Sequence, residues 1–277
     1  MTPNPYAVGV GATAELSLRV SIATLVRVLF RSPNNNELML ALERKATLRR
    51  AEVGGQVRVK SQPFGGAIRI LDLSVMHDVV GDFHFDSARS QAEQDFRIFI
   101  RPAAWSSIRE FCLQHIVLDE DPILETSPRR ELVEEFSEAL RIDLRREQYV
   151  CKPVATKVEN RAISTDNIYA EGTPTVRVYR IYEATIADSF LTDAMLKYSD
   201  GLSHQSLCEL AIADARSGRR GKANACLTLP WEPLQSFYRA MVPAERNIPI
   251  LFKQNRLDST VAAILEEIDV SRYQRVY

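Results

Sequence analysis

The chain has 277 residues, 45% of them hydrophobic and 26% charged. That composition supports a sizeable core and excludes disorder, fibres and coiled coils. Lys and Arg number 35 against 36 Asp and Glu, for a net charge of -1, so no bulk charge draws the chain to nucleic acid or to an anionic membrane. No apolar run approaches the roughly 20 residues that span a bilayer. The opening Met1-Thr2-Pro3-Asn4-Pro5 lacks the basic and apolar regions of a secretion signal. Cys112, Cys151, Cys208 and Cys226 form no CxxC pair, which suits reduced thiols in a cytoplasmic protein and offers no zinc site. His77, His84, His115 and His204 are equally scattered, with no HExxH.

In chain order, residues 1–15 are rich in Pro, Gly and Ala and read as a loose leader. Leu16 to Phe30 is dense in β-branched residues, and Ser32-Pro33-Asn34-Asn35-Asn36 is a turn before a second strand from Leu38 to Leu42, which makes a hairpin. A basic segment at 44–50, the pair Gly54-Gly55 and the punctuation Gln62-Pro63-Phe64-Gly65-Gly66 follow. Residues 73–94 read as a long polar loop and Asp95 to Ile100 as a short strand. Trp105, Ile108, Phe111, Cys112 and His115 share one face of a helix over 103–117.

Ser127 as N-cap and Pro128 at the first helical position predict a helix running to about Leu140. Strands near 149–158, 174–186 and 223–229 alternate with helices near 188–197, 204–216 and 232–241. Asp258-Ser259 caps a last helix in a C-terminal helical extension, 246–277. The interspersed pattern predicts an α+β fold with a mixed sheet.

The chemistry concentrates in the helix after Pro128. Glu131, Glu134 and Glu135 lie three and four positions apart and can converge on one face. Carboxylates so close repel, and a hard divalent ion such as Mg2+ or Mn2+ relieves the repulsion through oxygen ligands. Arg130 can hold one of them by a bidentate pair. A solvated acidic face is the plain alternative. Arg216 to Lys222, with Arg219 and Arg220, is a compact basic stretch that can receive a phosphate or serve as an exposed turn. Trp231, Tyr179 and Tyr182 can stack on a base or pack in the core.

Arg130-Glu131-Leu132-Val133-Glu134-Glu135 matches the REUXEE portion of the box of the Nudix superfamily, and Pro63-Phe64-Gly65-Gly66 looks like the glycine turn that opens that box. Leu227 to Leu234 resembles the strand before the last Nudix helix. A long insertion, about 67–126, separates the halves, Ser137 stands where the box has glycine, and Asp72 or Glu125 takes the place of its first glutamate. The split order is similar to the SMODS-associated Nudix domains of bacterial antiphage operons. Three segments follow that order: Gln62 to Gly66, Asp95-Phe96-Arg97-Ile98 and Ser127 to Glu135. The resemblance spans residues 18–240 and implies a Nudix-like α/β/α sandwich at 16–245.

It also implies metal-dependent hydrolysis of a nucleoside-diphosphate-linked small molecule. Glu131, Glu134 and Glu135 would hold Mg2+ or Mn2+, with Glu134, Glu135 and Arg130 as the catalytic set. Gly65 and Gly66 would let backbone approach the phosphate, as would Arg219 and Arg220 by charge, and a general base would come from a helix glutamate or from Glu209 or Asp214. The expected partners are a nucleotide-type substrate, then a second copy or an operon-encoded protein, with no membrane and with nucleic acid not expected. The rival class is a Nudix-fold sensor that binds a nucleotide without turning it over.

Overall fold

The computed structural model describes residues 17–48, 56–118, 120–164, 172–201, 203–219 and 221–265. In chain order the elements are β1 (Leu18–Arg31), β2 (Leu38–Leu48), β3 (Val57–Gln62), α1 (Leu73–Val80), β4 (His84–Phe85), α2 (Ala88–Glu93), β5 (Arg97–Ile100), α3 (Trp105–His115) and α4 (Arg129–Leu140). They continue with β6 (Tyr149–Ser164), β7 (Pro174–Ile186), α5 (Ser189–Gly201), α6 (His204–Arg216), β8 (Lys222–Pro230), α7 (Trp231–Ala240), α8 (Pro243–Arg246), β9 (Ile250–Phe252), β10 (Asn255–Leu257) and α9 (Thr260–Leu265). This is an α+β protein with a mixed sheet: β10 runs parallel to β3, whereas β1–β2, β2–β3 and β2–β8 are antiparallel. The leader at 1–15, Arg49, Arg50, Gly54, Gly55 and Arg220 lie outside the described residues.

The chain forms two compact units. The first takes residues up to Thr24, Gly66–Ser127 and Thr156–Arg180. In it β5 pairs with the start of β1 and with β4. Its core gathers Ile22, Ile70, Met76, Phe96, Ile98, Ile108 and Cys112, all buried. The 67–126 segment therefore shares its core with residues from β1 and β7, such as Val20 and Val178.

The second unit takes Leu25–Gly65, Pro128–Ala155 and residues from Ile181 onward. Its centre is β2, which pairs along both edges. Residues 39–47 face β8 on one side, and residues 38–41 and 43–48 face β1 and β3 on the other. One apolar cluster packs Val26, Val28, Phe30 and Cys226 of the strands against Leu132, Phe136 and Leu140 of α4. A second, smaller cluster sets Leu207 and Ala211 of α6 on Ala46, Val59 and Ala225.

Three local expectations are corrected. Residues 73–94 hold α1 and α2 rather than a loop. The Asp72 carboxylate accepts the N–H groups of Ser74 and Val75, Ser87 accepts that of Ser90, and Met76 and Val80 supply an inward face. The helix after Ser127 starts one residue later than its cap signal indicates: Pro128 is the N-cap, and no side chain caps α4. The C-terminal extension is not all helical. Lys253 and Gln254 take left-handed backbone angles, φ 44° and 65°, which supplies the two-residue turn that joins β9 to β10 without the glycine that usually marks it.

Candidate functional site

α4 presents its carboxylates in two directions. The buried stripe of the helix is Leu132, Glu135, Phe136, Ala139 and Leu140, so Glu135 occupies a core position in a 3.6-residue repeat. Its neighbour Glu134 falls on the outer face, with a side chain 56% exposed. The Arg130 guanidinium clasps the outer group, lying 2.5 Å from Glu131 Oε1 and 3.5 Å from Glu134 Oε2.

What meets Glu135 comes from the glycine turn. Gly65 donates its N–H to Glu135 Oε2 at 2.5 Å, and the ring of Phe64 packs on that of Phe136 with centroids 4.8 Å apart. Gly65 has φ 123°, a conformation that side-chain-bearing residues rarely adopt. Two segments far apart in the chain thus form one hydrogen-bonded and apolar contact.

β2 adds residues that sequence reading missed. Ala41, Glu43 and Lys45 alternate and share a face. Glu43 lies opposite Gln62 of β3 and Cys226 of β8, and Lys45 opposite Asn224. Glu43 is completely buried. Its Oε2 accepts from Lys45 Nζ at 2.7 Å and from Gln62 Nε2 at 3.0 Å, while its Oε1 is buried with no hydrogen-bond partner. Lys45 Nζ is 4.0 Å from Glu135 Oε1. On the next turn of α4, Glu138 accepts a hydrogen bond from Asn224.

Burial and the nearby charge of Glu43 push the Glu135 carboxyl well above the usual carboxylate range, against the pull of Lys45 and the Gly65 N–H. Burial works against the Lys45 charge, but Glu43 and Glu135 outweigh it and hold the ammonium above its ordinary value. The missed signal was an opposite-charge pair at i and i+2, which keeps to one face of a strand. The expected strand stopped at Leu42, one residue short of it.

Among the described residues no three His, Cys, Asp or Glu side chains stand together as a metal-holding group. Glu131, Glu134 and Glu135 do not converge as the spacing predicted, because the core claims Glu135 and Arg130 holds the other two. The donor chemistry nevertheless fits a hard divalent ion: every candidate ligand is a carboxylate oxygen, and the Glu43 Oε1 atom is a buried acceptor left without a donor.

The remaining expectations resolve differently. Gly66 belongs to the first unit, where its carbonyl accepts the Thr24 N–H at 2.9 Å. Arg219 pairs with Asp214 at 2.6 Å, and the Asp214 carboxylate also accepts the N–H groups of Gly221 and Lys222. Gly221 has φ 69°, and a Cβ there would stand 3.1 Å from that of Leu48. The Asp214 carboxylate of α6 thus fills the N–H pair of Gly221 and Lys222, and those bonds hold it below the usual carboxylate range.

Glu209 accepts from Gln205 on α6. Asp72 caps α1, and Glu125 donates its backbone N–H to Arg69 in the first unit. Trp231, Tyr179 and Tyr182 are buried, and the Arg27 guanidinium lies 5.5 Å above the Trp231 ring. No described helix is long and apolar enough to cross a membrane. Compared with protein-family models and with curated proteins, the sequence matches none.

Proposed function

We propose that the chain is a Nudix-type hydrolase that cleaves the phosphoanhydride of a nucleoside-diphosphate-linked small molecule. The observation that carries this reading is the bond from the Gly65 N–H to Glu135. It joins the glycine turn to the Arg-Glu-x-x-Glu-Glu helix, the two halves that the long insertion separates in sequence. The sandwich architecture and a place in bacterial antiphage nucleotide signalling rest on the same resemblance. By that resemblance Glu131, Glu134 and Glu135, which point in two directions here, would have to draw together to hold Mg2+ or Mn2+, and the chemistry such an ion supplies is neutralisation of the pyrophosphate and activation of a water.

The chain's own residues do the positioning. Arg130 orients Glu131 and Glu134. Gly65 anchors α4 to the turn, and by the same resemblance its missing side chain would let a phosphate approach the carboxylates. The buried apolar stripe of α4 keeps these groups from moving relative to the strands.

A second reading is favoured by one observation: Lys45 already supplies positive charge between Glu43 and Glu135. A site balanced in this way suits a nucleotide-binding module without turnover. Incubation with Mg2+ or Mn2+ and a panel of ADP-ribose, NAD, dinucleoside polyphosphates, nucleoside triphosphates and cyclic oligonucleotides separates the two. The exposed Glu134 can be changed with little effect on packing, and Glu134→Gln is expected to lower turnover roughly a hundred-fold, about 2.7 kcal/mol of barrier. Nucleotide binding without product, unchanged in that variant, would establish the module and exclude the hydrolase.

A further inference from the structure

Glu43 and Glu135 place two carboxylates on either side of one ammonium, inside the second unit. The Lys45 Nζ atom bonds Glu43 Oε2 at 2.7 Å but stays 4.0 Å from Glu135 Oε1, beyond hydrogen-bond range. On each carboxylate one oxygen takes no hydrogen bond, although Glu135 Oε1 keeps the longer ion pair with Lys45. Glu43 Oε1 is buried with no donor, and the hydrogen bond of Glu135 goes from the Gly65 N–H to its other oxygen. One ammonium thus serves two carboxylates and hydrogen-bonds only that of Glu43. A doubly charged ion would balance the pair when both are ionised and bond Glu43 Oε1 and Glu135 Oε1, neither of which the lysine hydrogen-bonds.

We propose that Lys45 is a resident counter-ion that keeps the Glu43–Glu135 pair closed and must swing out before a divalent cation can enter. This rests on the metal-binding reading above and adds Glu43, on β2, to the ligands of α4. The side chain suits the part: lysine carries a compact charge on a four-carbon flexible stem, and this one retains 19% exposure, a route to solvent. Glu138, one turn along α4, already acts on the Lys45 charge and offers the displaced ammonium a new partner. The site is self-inhibited, since the ion must compete with an ammonium tethered beside it.

The test uses the full chain and Mn2+ alone, with binding followed by the electron spin resonance of free Mn2+ and by thermal unfolding. Lys45→Met is expected to bind Mn2+ at least roughly ten-fold more tightly than the parent chain and to gain more in Tm from it, while Glu43→Gln binds at least roughly ten-fold more weakly. Should Lys45→Met fail to fold without metal, recovery of its circular dichroism on adding Mn2+ is the supporting result, and a chain that stays unfolded in excess Mn2+ overturns the proposal. Lys45→Arg, which keeps a cation in place, is expected to show no tightening.

Equal or weaker affinity in Lys45→Met, with binding abolished by Glu134→Gln, overturns the counter-ion and leaves the hydrolase standing. Tightening in Lys45→Met with no phosphoanhydride cleaved from any substrate supports the counter-ion and removes the hydrolase. Mn2+ bound by no variant overturns both the counter-ion and the metal.

Discussion

Single residues show where spacing rules stop. Glu131, Glu134 and Glu135 are legible as a cluster from their separations alone, yet the residues around them decide which way each points. Glu135 alternates with Leu132, Phe136 and Ala139 on the buried stripe, so packing turns it inward, while Glu134 on the outer side remains with Arg130. The buried partner Glu43 was invisible because its strand was read as ending too soon.

Asp258 is another buried carboxylate with a measurable signature. Burial alone would raise its carboxyl, but the Lys60 ammonium at 2.7 Å and the N–H and hydroxyl of Thr260 more than offset that and hold it below the ordinary value. A carboxyl lowered on folding contributes stability above its unfolded pKa and loses it as pH falls through the folded one. Asp258→Asn is therefore expected to cost roughly 1 kcal/mol near neutral pH. In urea titrations the difference from the parent chain should shrink below about pH 4. A difference that stays constant across that range would contradict the assignment.

At the level of elements, the longer helices and most longer strands were legible from hydrophobic period, whereas their ends, and the strands β3, β9 and β10, were not. α4 is the clearest case. Its start rests on Pro128 rather than Ser127, and its end on Arg141, which takes the left-handed conformation at φ 58°. Ser137 needs no such angle, because the helix runs on through it to Leu140; the departure from the glycine of the resembled motif is therefore tolerated within the turn.

An arginine in that conformation carries a steric cost of about 1–2 kcal/mol that glycine lacks, partly cancelled by the greater freedom of glycine in the unfolded chain. Arg141→Gly is expected to stabilise the protein by roughly 0.5 kcal/mol, read as a higher urea midpoint with an unchanged slope. A lower midpoint would mean that the arginine side chain contributes more than its backbone costs.

For the whole molecule, local pattern conveyed the fold class but not the partition. The segment at 67–126 reads as one insertion, yet the core it joins also takes residues from β1 and β7, which are distant in sequence and carry no local sign of their pairing. Each unit holds one fully buried thiol, Cys112 in the first core and Cys226 in the second, and burial pushes both thiols far up from their ordinary value.

Cys151 and Cys208 are only half-buried, with Cys151 pushed up to about 11 by the same cause. Alkylation of the native protein is expected to reach Cys208 and Cys151 well before the other two, because the thiolate is the reactive form and access limits it. With rising urea, labelling of Cys112 should follow the opening of the first unit and labelling of Cys226 that of the second, as peptide mass spectrometry can resolve. Rapid native labelling of Cys226 would contradict the packing of α4 on the strands.

The placement of Glu135 within an otherwise apolar stripe also governs folding. A helix with a smooth hydrophobic face can settle on its sheet in several positions one turn apart at similar free energy. Here a slide in one direction would set Ala139 against the Gly65 N–H and leave that donor unanswered. A slide in the other would carry the carboxylate into the place of Ala139, among apolar neighbours with nothing to bond. Each misplacement costs on the order of 1–3 kcal/mol per orphaned group. One polar residue thereby sets the register in which α4 docks, much as a lone buried asparagine aligns the helices of a coiled coil.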